Sequence, residues 1–367
     1  MFKPSRDSLV MGSSLSAFVL CVCFVSVGAS EVPGSAYSDA LGIDPTFLDH
    51  STQVFVHPAR LIDVDSGVEG FSLSNRSALV AKRSLGRGAI GLQSQDSDVL
   101  GLIWAMGSEQ YRVGTTFRGR YRTTASESGQ SESSSSLGYF EPRLGISRVT
   151  KDSQLDLTFA ARFPQTEIET PGLGMQNILE QTDPVQPSVS LRINRALSEV
   201  SSIQLAGSYA SRDVEWATNE EGATHPGLGE RYGHEWFVGA AWRTQTNDLD
   251  ELYVSLDYEQ SRPSIFANDP DRGFVRHSEV YGLAVSGVAD LFARNLRGLI
   301  GLRWSHSENV TLRSQVTGRD LDRVEEIGGE FTWGLDYQWR NLNVTGAMKT
   351  DLQLGSPFLS VDAGVSL

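Results

Sequence analysis

Between residues 111 and 122 the chain reads Y-R-V-G-T-T-F-R-G-R-Y-R. Extended backbone sends successive side chains to opposite faces. Tyr111, Val113, Thr115, Phe117, Gly119 and Tyr121 therefore share one face, and Arg112, Gly114, Thr116, Arg118, Arg120 and Arg122 share the other. Tyrosines bound the apolar face, as they do where a membrane-crossing strand meets two headgroup layers. The stretch predicts a strand in the wall of a transmembrane β-barrel.

The same period recurs along the chain. It predicts strands near 87–94, 97–107, 111–124, 137–150, 153–163, 186–196, 200–213, 233–245, 250–262, 277–291, 296–308, 326–339, 342–354 and 357–367. The expected fold class is all-β, an antiparallel transmembrane β-barrel of about 14 strands over residues 87–367, the even count that single-chain bacterial barrels show. Apolar faces such as Leu155, Leu157, Phe159 and Phe163, or Trp333, Leu335, Tyr337 and Trp339, are assigned to lipid. The connections near 108, 151, 197, 247 and 340 are tight, whereas 125–136, 164–185, 213–233, 261–276 and 307–325 are longer and polar. Short turns at one end and long loops at the other are the asymmetry of an outer-membrane barrel.

The N-terminus departs from this pattern. Lys3 and Arg6 precede an apolar run over 15–27 and the small residues Gly28 and Ala29, which predicts a signal peptide over 1–29 and delivery to the bacterial outer membrane. Cys21 and Cys23 both fall inside that leader, so no thiol chemistry or thiolate metal site is expected of the mature chain. Residues 30–86 show no sustained period and are expected to plug the barrel or sit at its periplasmic mouth. A formal net charge of −14 argues against a nucleic-acid partner. The partners expected are outer-membrane lipid, the barrel-assembly machinery and small solutes. The final strand, with Leu359, Val361, Ala363, Val365 and Leu367 on one face, resembles the C-terminal strand which that machinery recognises, although Leu367 stands where an aromatic is usual.

Candidate chemistry lies on the polar faces. Arg112, Arg118, Arg120 and Arg122, joined by Arg143, Arg162, Arg192 and Arg243, would line one side of a lumen. Asp257, Glu259, Glu330 and Asp336 fall on later strands, roughly across it. Such opposed charges would set up a transverse field that sorts solutes by charge, unless the arginines pair with acidic neighbours or with a plug. The six histidines show no metal-ligand spacing, and no nucleophile elbow or phosphate loop occurs, so neither cofactor, metal nor catalytic residue is expected.

Residues 52–61 read T-Q-V-F-V-H-P-A-R-L. With His57, Pro58 and Ala59 this segment resembles the Asn-Pro-Ala region of the fatty-acid-transporter-like outer-membrane family, His57 replacing the usual Asn. The resemblance implies a fourteen-stranded barrel with an N-terminal hatch in the lumen and passage of hydrophobic compounds. The charged polar faces point instead to a porin-like channel for passive passage of small polar or charged solutes, narrowed or gated by the N-terminal segment. A hatch-gated transporter of hydrophobic compounds is the alternative, and a surface adhesin or scaffold that transports nothing is a third reading.

Overall fold

The computed structural model describes residues 35–48, 51–73, 76–95, 99–128, 131–172, 175–181, 185–211, 214–219, 227–231, 233–246, 250–262, 274–291, 295–315, 318–352 and 357–366. The leader and both cysteines lie outside the described residues. The strands are β1 (Gly67–Leu73), β2 (Arg76–Leu85), β3 (Gly88–Gln95), β4 (Val99–Gly107), β5 (Tyr111–Ser128), β6 (Ser131–Val149) and β7 (Ser153–Gly172). They continue with β8 (Met175–Gln181), β9 (Gln186–Ala196), β10 (Ser201–Ser211), β11 (Val214–Asn219), β12 (Gly227–Arg231) and β13 (His234–Thr244). The last are β14 (Glu251–Arg262), β15 (Phe274–Asp290), β16 (Leu296–Gln315), β17 (Gly318–Trp339), β18 (Leu342–Asp351) and β19 (Pro357–Ser366).

Sixteen of these strands form a closed antiparallel wall, and β19 returns to β1 through pairs from Gly67 with Ser366 to Ser72 with Val361. The expected count of about 14 is corrected to 16. The two additional wall strands are β1 and β2, so the wall starts at residue 67 and not at 87. Outside the wall, β8, β11 and β12 extend a ribbon from the outer part of β7. The segment 125–136, expected to be a solvated loop, continues the ladder between β5 and β6 instead. Most of 307–325 does the same between β16 and β17.

Alternation sets the two faces. On β4, Leu100, Leu102, Trp104 and Met106 are exposed, whereas Val99, Ile103 and Ala105 are buried. Aromatic residues gather at both limits of the outer band. Tyr111, Trp242, Tyr337 and Trp339 lie towards the short turns. Phe117, Phe140 and Phe163, and the pairs Tyr209 with Trp236 and Tyr258 with Tyr281, lie towards the loops. These are the headgroup-level girdles of a barrel in lipid.

Residues 35–66 fill the inside. The short helix α1 (Ala36–Leu41) is capped by Ser35, whose hydroxyl accepts from the Ser38 amide, and it ends at Gly42 with φ 64°. Three 3-10 turns follow, Pro45–Phe47, Ser51–Phe55 and Pro58–Ile62. Two apolar clusters join this hatch to the wall. Ala40, Leu41, Ile43, Phe47 and Leu48 pack on Ala206, Ala241, Ala284, Val288, Leu299 and Ala347. Val54, Phe55 and Leu61 pack on Ala78, Val80, Ala89, Ile103 and Ala105. Fully burying one such large side chain is worth about 1.5–3 kcal/mol.

Small residues on the lumen face admit the hatch. A β-carbon at Gly114 would stand 2.5 Å from the Pro58 carbonyl carbon and the Ala59 nitrogen, both of them backbone. One at Gly334 would stand 2.7 Å from the Ala40 β-carbon. Gly114→Val should therefore lift the turn at Pro58 off the wall without unfolding the barrel. Protease cleavage within 35–66 should rise while the folded barrel keeps its gel mobility, and unchanged cleavage would count against this seating.

Candidate functional site

The lumen charges form local groups. Arg118 on β5 faces Glu141 on β6 directly across the ladder, and both are buried, at 1% and 2% exposure. Arg118 donates from Nε to Glu141 Oε1 at 2.8 Å and from Nη2 to Oε2 at 3.0 Å. Arg162 of β7 donates to Oε2 at 2.8 Å, and Arg143 of β6 donates to Oε1. Arg143 also reaches the Phe55 carbonyl of the hatch at 3.0 Å. The ring of Tyr139 lies 4.5 Å from the Arg162 guanidinium and 5.9 Å from that of Arg118. Three guanidiniums thus share one carboxylate inside the wall. Glu141 was not singled out by the sequence, although it shares the face of Arg143 two positions on.

Most of the remaining charges also pair locally. Arg112 bonds Asp63 of the hatch. Arg192 lies 3.6 Å from Asp156 and donates to the Thr46 carbonyl at 3.0 Å. Arg243 pairs with Glu251 at the turn end. Asp257 accepts from Arg303 at 2.6 Å, and Arg303 also reaches the Gly42 carbonyl at 3.3 Å. Asp336 accepts from Arg297 Nε at 2.9 Å and from Thr345 at 2.8 Å. Glu330 pairs with Lys349 at 2.7 Å. Glu259 and Arg120 lie on the lumen face nearer the loops. The Arg122 side chain lies outside what the structure describes.

The structure therefore does not set the arginine face against the later acids across an open lumen. It ties each set to neighbouring strands and to the hatch, because a desolvated charge is tolerated only when paired and hydrogen-bonded.

His57, Pro58 and Ala59 sit at the centre of the hatch's contact with β5, β6 and β7. Pro58 packs on Gly114 and Gly145, and His57 Nδ1 is 3.0 Å from Thr158 Oγ1. Burial pulls the imidazole down to about 4, with Asp156 opposing that shift and Arg192, Arg60 and Arg143 adding to it. A histidine held neutral in the docked hatch binds its proton more readily once released, so docking weakens as pH falls from 6.5 towards 4. That window corresponds to roughly 3 kcal/mol at 1.36 kcal/mol per unit. Burial raises the carboxyls of Asp39 and Asp44, which acts in the opposite direction on acidification. Native protein should therefore lose more thermal stability between pH 7 and pH 4.5 than His57→Asn does, and equal losses in the two would contradict the assignment.

Two cavities lie along the wall, one against the hatch and one among the turns. The larger, about 540 Å³, opens between Thr46, Val56 and His57 of the hatch and the outer halves of β9, β10, β13 and β14. On the lumen face its lining sets Ser188, Ser190 and Ser208 beside Phe237, and Arg143, Arg162, Glu235 and Glu259 are also part of the lining. The smaller, about 320 Å³, is a groove at the turn end, lined by turn residues such as Lys151, Asp152, Ser198 and Glu199 together with the strand ends at Gln154, Asn194 and Arg243.

A closed antiparallel barrel with a lipid-facing apolar band, short turns at one end and a hatch in its lumen is an outer-membrane β-barrel. Its fold is similar to that of the fatty-acid-transporter-like barrels. A FadL homologue from Pseudomonas aeruginosa aligns over 93% of this chain and 99% of its own, with TM-score 0.50 and 9% identity. The toluene transporter TodX of Pseudomonas putida aligns over 93% of this chain and 98% of its own, with TM-score 0.43 and 11% identity. The toluene transporter TbuX of Ralstonia pickettii gives 92%, 98%, 0.43 and 12% for the same four quantities. At these identities the likeness is one of fold. No protein-family model and no curated protein sequence matches the chain.

Proposed function

We propose that this chain carries small, largely apolar compounds across the bacterial outer membrane through a lumen closed by its own N-terminal hatch. The observation that carries this reading is the filled lumen. Two apolar clusters bind the hatch to the wall, and the arginine face is engaged by neighbouring carboxylates and hatch carbonyls rather than by an open water path. A porin for polar solutes needs an unobstructed charged constriction. The larger cavity sets Phe237 and Val56 among Ser188, Ser190 and Ser208, so an apolar body can rest on the two apolar side chains while the hydroxyl groups accommodate a small polar substituent. The fold shared with the Pseudomonas aeruginosa FadL homologue supports the same reading.

The test pairs two assays. Expression in intact Gram-negative cells should raise entry of radiolabelled toluene several-fold, and the purified full chain should give no conductance steps in planar bilayers. Steady conductance without toluene entry would overturn the proposal in favour of a polar-solute channel. Silence in both assays would overturn it in favour of a barrel that transports nothing.

A further inference from the structure

His57 has one ring nitrogen in use and one without a partner. Nδ1 lies 3.0 Å from Thr158 Oγ1 on β7, and Nε2 has no hydrogen-bond partner among the described residues. The side chain is 1% exposed and lines the larger cavity. Nδ1 is turned to the wall, so Nε2 is left to the cavity. Register extends the site from there. Thr158 pairs with Ser190 across β7 and β9, Ser190 with Ser208 across β9 and β10, and Ser208 with Phe237 across β10 and β13. The four form one row on the lumen face, and the last three line the cavity. Three strand spacings of about 4.8 Å put Phe237 about 14 Å from Thr158 along the wall. Val56, next to His57 in the hatch, lines the same space. One end of the row offers an unpaired nitrogen and the other an aromatic ring.

We propose that His57 is a specificity-determining residue of this barrel, and that the larger cavity selects small neutral aromatic compounds bearing a hydroxyl group, the ring resting on Phe237 and Val56 and the hydroxyl bonded to His57 Nε2. The class follows from what the cavity leaves unmatched. A buried nitrogen without a partner is costly, and a ligand that pairs with it removes that cost. Burial keeps the imidazole neutral near pH 7, with one nitrogen a donor and the other an acceptor. A hydroxyl both donates and accepts, so it suits either tautomer. A hydrocarbon suits neither. Net charge on the ligand gains nothing, because what Arg143 and Arg162 attract on one side of the lining Glu235 and Glu259 repel from the other, and the reverse. A volume of about 540 Å³ is ample for a single substituted ring.

The inference rests on the transport reading for passage across the membrane, but binding tests it without transport. Toluene and p-cresol differ by one hydroxyl, and the phenol is neutral at pH 7 as the tyrosine side chain is. Equilibrium dialysis of the purified full chain in detergent, against the same micelles without protein, should give p-cresol an affinity at least about tenfold above that of toluene, the gain from one well-made hydrogen bond. His57→Phe, which keeps a ring and loses both nitrogens, should abolish the preference. His57→Gln, whose amide can donate and accept near the Nε2 position, should retain most of it. Phe237→Ala should weaken both compounds and leave their ratio unchanged.

Equal affinity of the native chain for the two compounds would overturn the site, whatever the variants do. A His57→Phe chain that keeps the native preference would overturn it as well. Where His57→Phe sheds its hatch, seen as protease cleavage within 35–66, the decision passes to Ser190→Ala. Loss of the preference there would assign the hydroxyl to the serine row and overturn the role of His57. Toluene entry into cells through a chain that binds the two compounds equally would sink the selectivity and spare the transport reading. Preferential binding of p-cresol by a chain that admits neither compound would sink the transport reading and spare the site.

Discussion

Deleting residues 35–64 should turn a silent barrel into a conducting one. Sixteen strands enclose a lumen in the size range where porins of 16–18 strands leave an aqueous channel, so the wall alone does not close this one. Closure comes from α1, the three turns and their two apolar clusters. The deletion leaves β1 and its pairing with β19 and β2 intact. Bilayer recordings should therefore show large, long-lived steps from the deleted protein and none from the native chain. A folded deletion variant that remains silent would mean that wall side chains close the lumen unaided.

Glu141→Ala should destabilise the barrel by about 3–5 kcal/mol, the cost of breaking a buried ion pair from one side. The estimate rests on Arg118, whose guanidinium is 1% exposed and loses its two-point partner. Arg143 and Arg162 lose the same carboxylate, so mutual repulsion among the three adds to the loss. Glu141→Gln keeps the shape and part of the hydrogen bonding and should cost less. The midpoint of urea unfolding in detergent measures both. A shift within error for Glu141→Ala would show that water or the hatch carbonyl compensates.

The wall was legible in the sequence wherever its two faces differ in polarity. β5 shows this best, with Tyr111, Val113 and Phe117 outward and Arg112, Gly114 and Arg118 inward. β1 and β2 were missed because they lack that contrast. Ala78 and Val80 point inward onto Val54, Phe55 and Leu61, while Leu79 and Ala81 point outward, so both faces of β2 are apolar and its period of two vanishes. A strand covered by hatch on one side and lipid on the other reads as a core segment.

Of the candidate site, face could be read and partnership could not. Parity places Arg118, Arg192 and Asp257 inward, but which acid meets which arginine depends on register and strand order. The expected transverse field assumed that charges on distant strands see each other through water. The structure instead joins Arg118 to Glu141 and Asp257 to Arg303 between nearby strands. Beside the aperiodic residues 30–86 and the segment 52–61, Gly114 and Gly145 carried a further sign of the hatch, since an inward glycine in a strand marks a close approach of other backbone.

The seam between β1 and β19 also dictates an order of assembly. It joins the two ends of the wall, Gly67 to Ser366, across nearly the whole described chain, so its closure carries the largest loop entropy of any pairing in the wall and falls late in folding. The hatch is attached directly to β1 at the turn end. Once the seam has zipped, the plug is captive. It must therefore have entered the nascent cylinder beforehand, and a chain that closes with the plug outside would be a kinetic trap, open to solutes until the seam parts again.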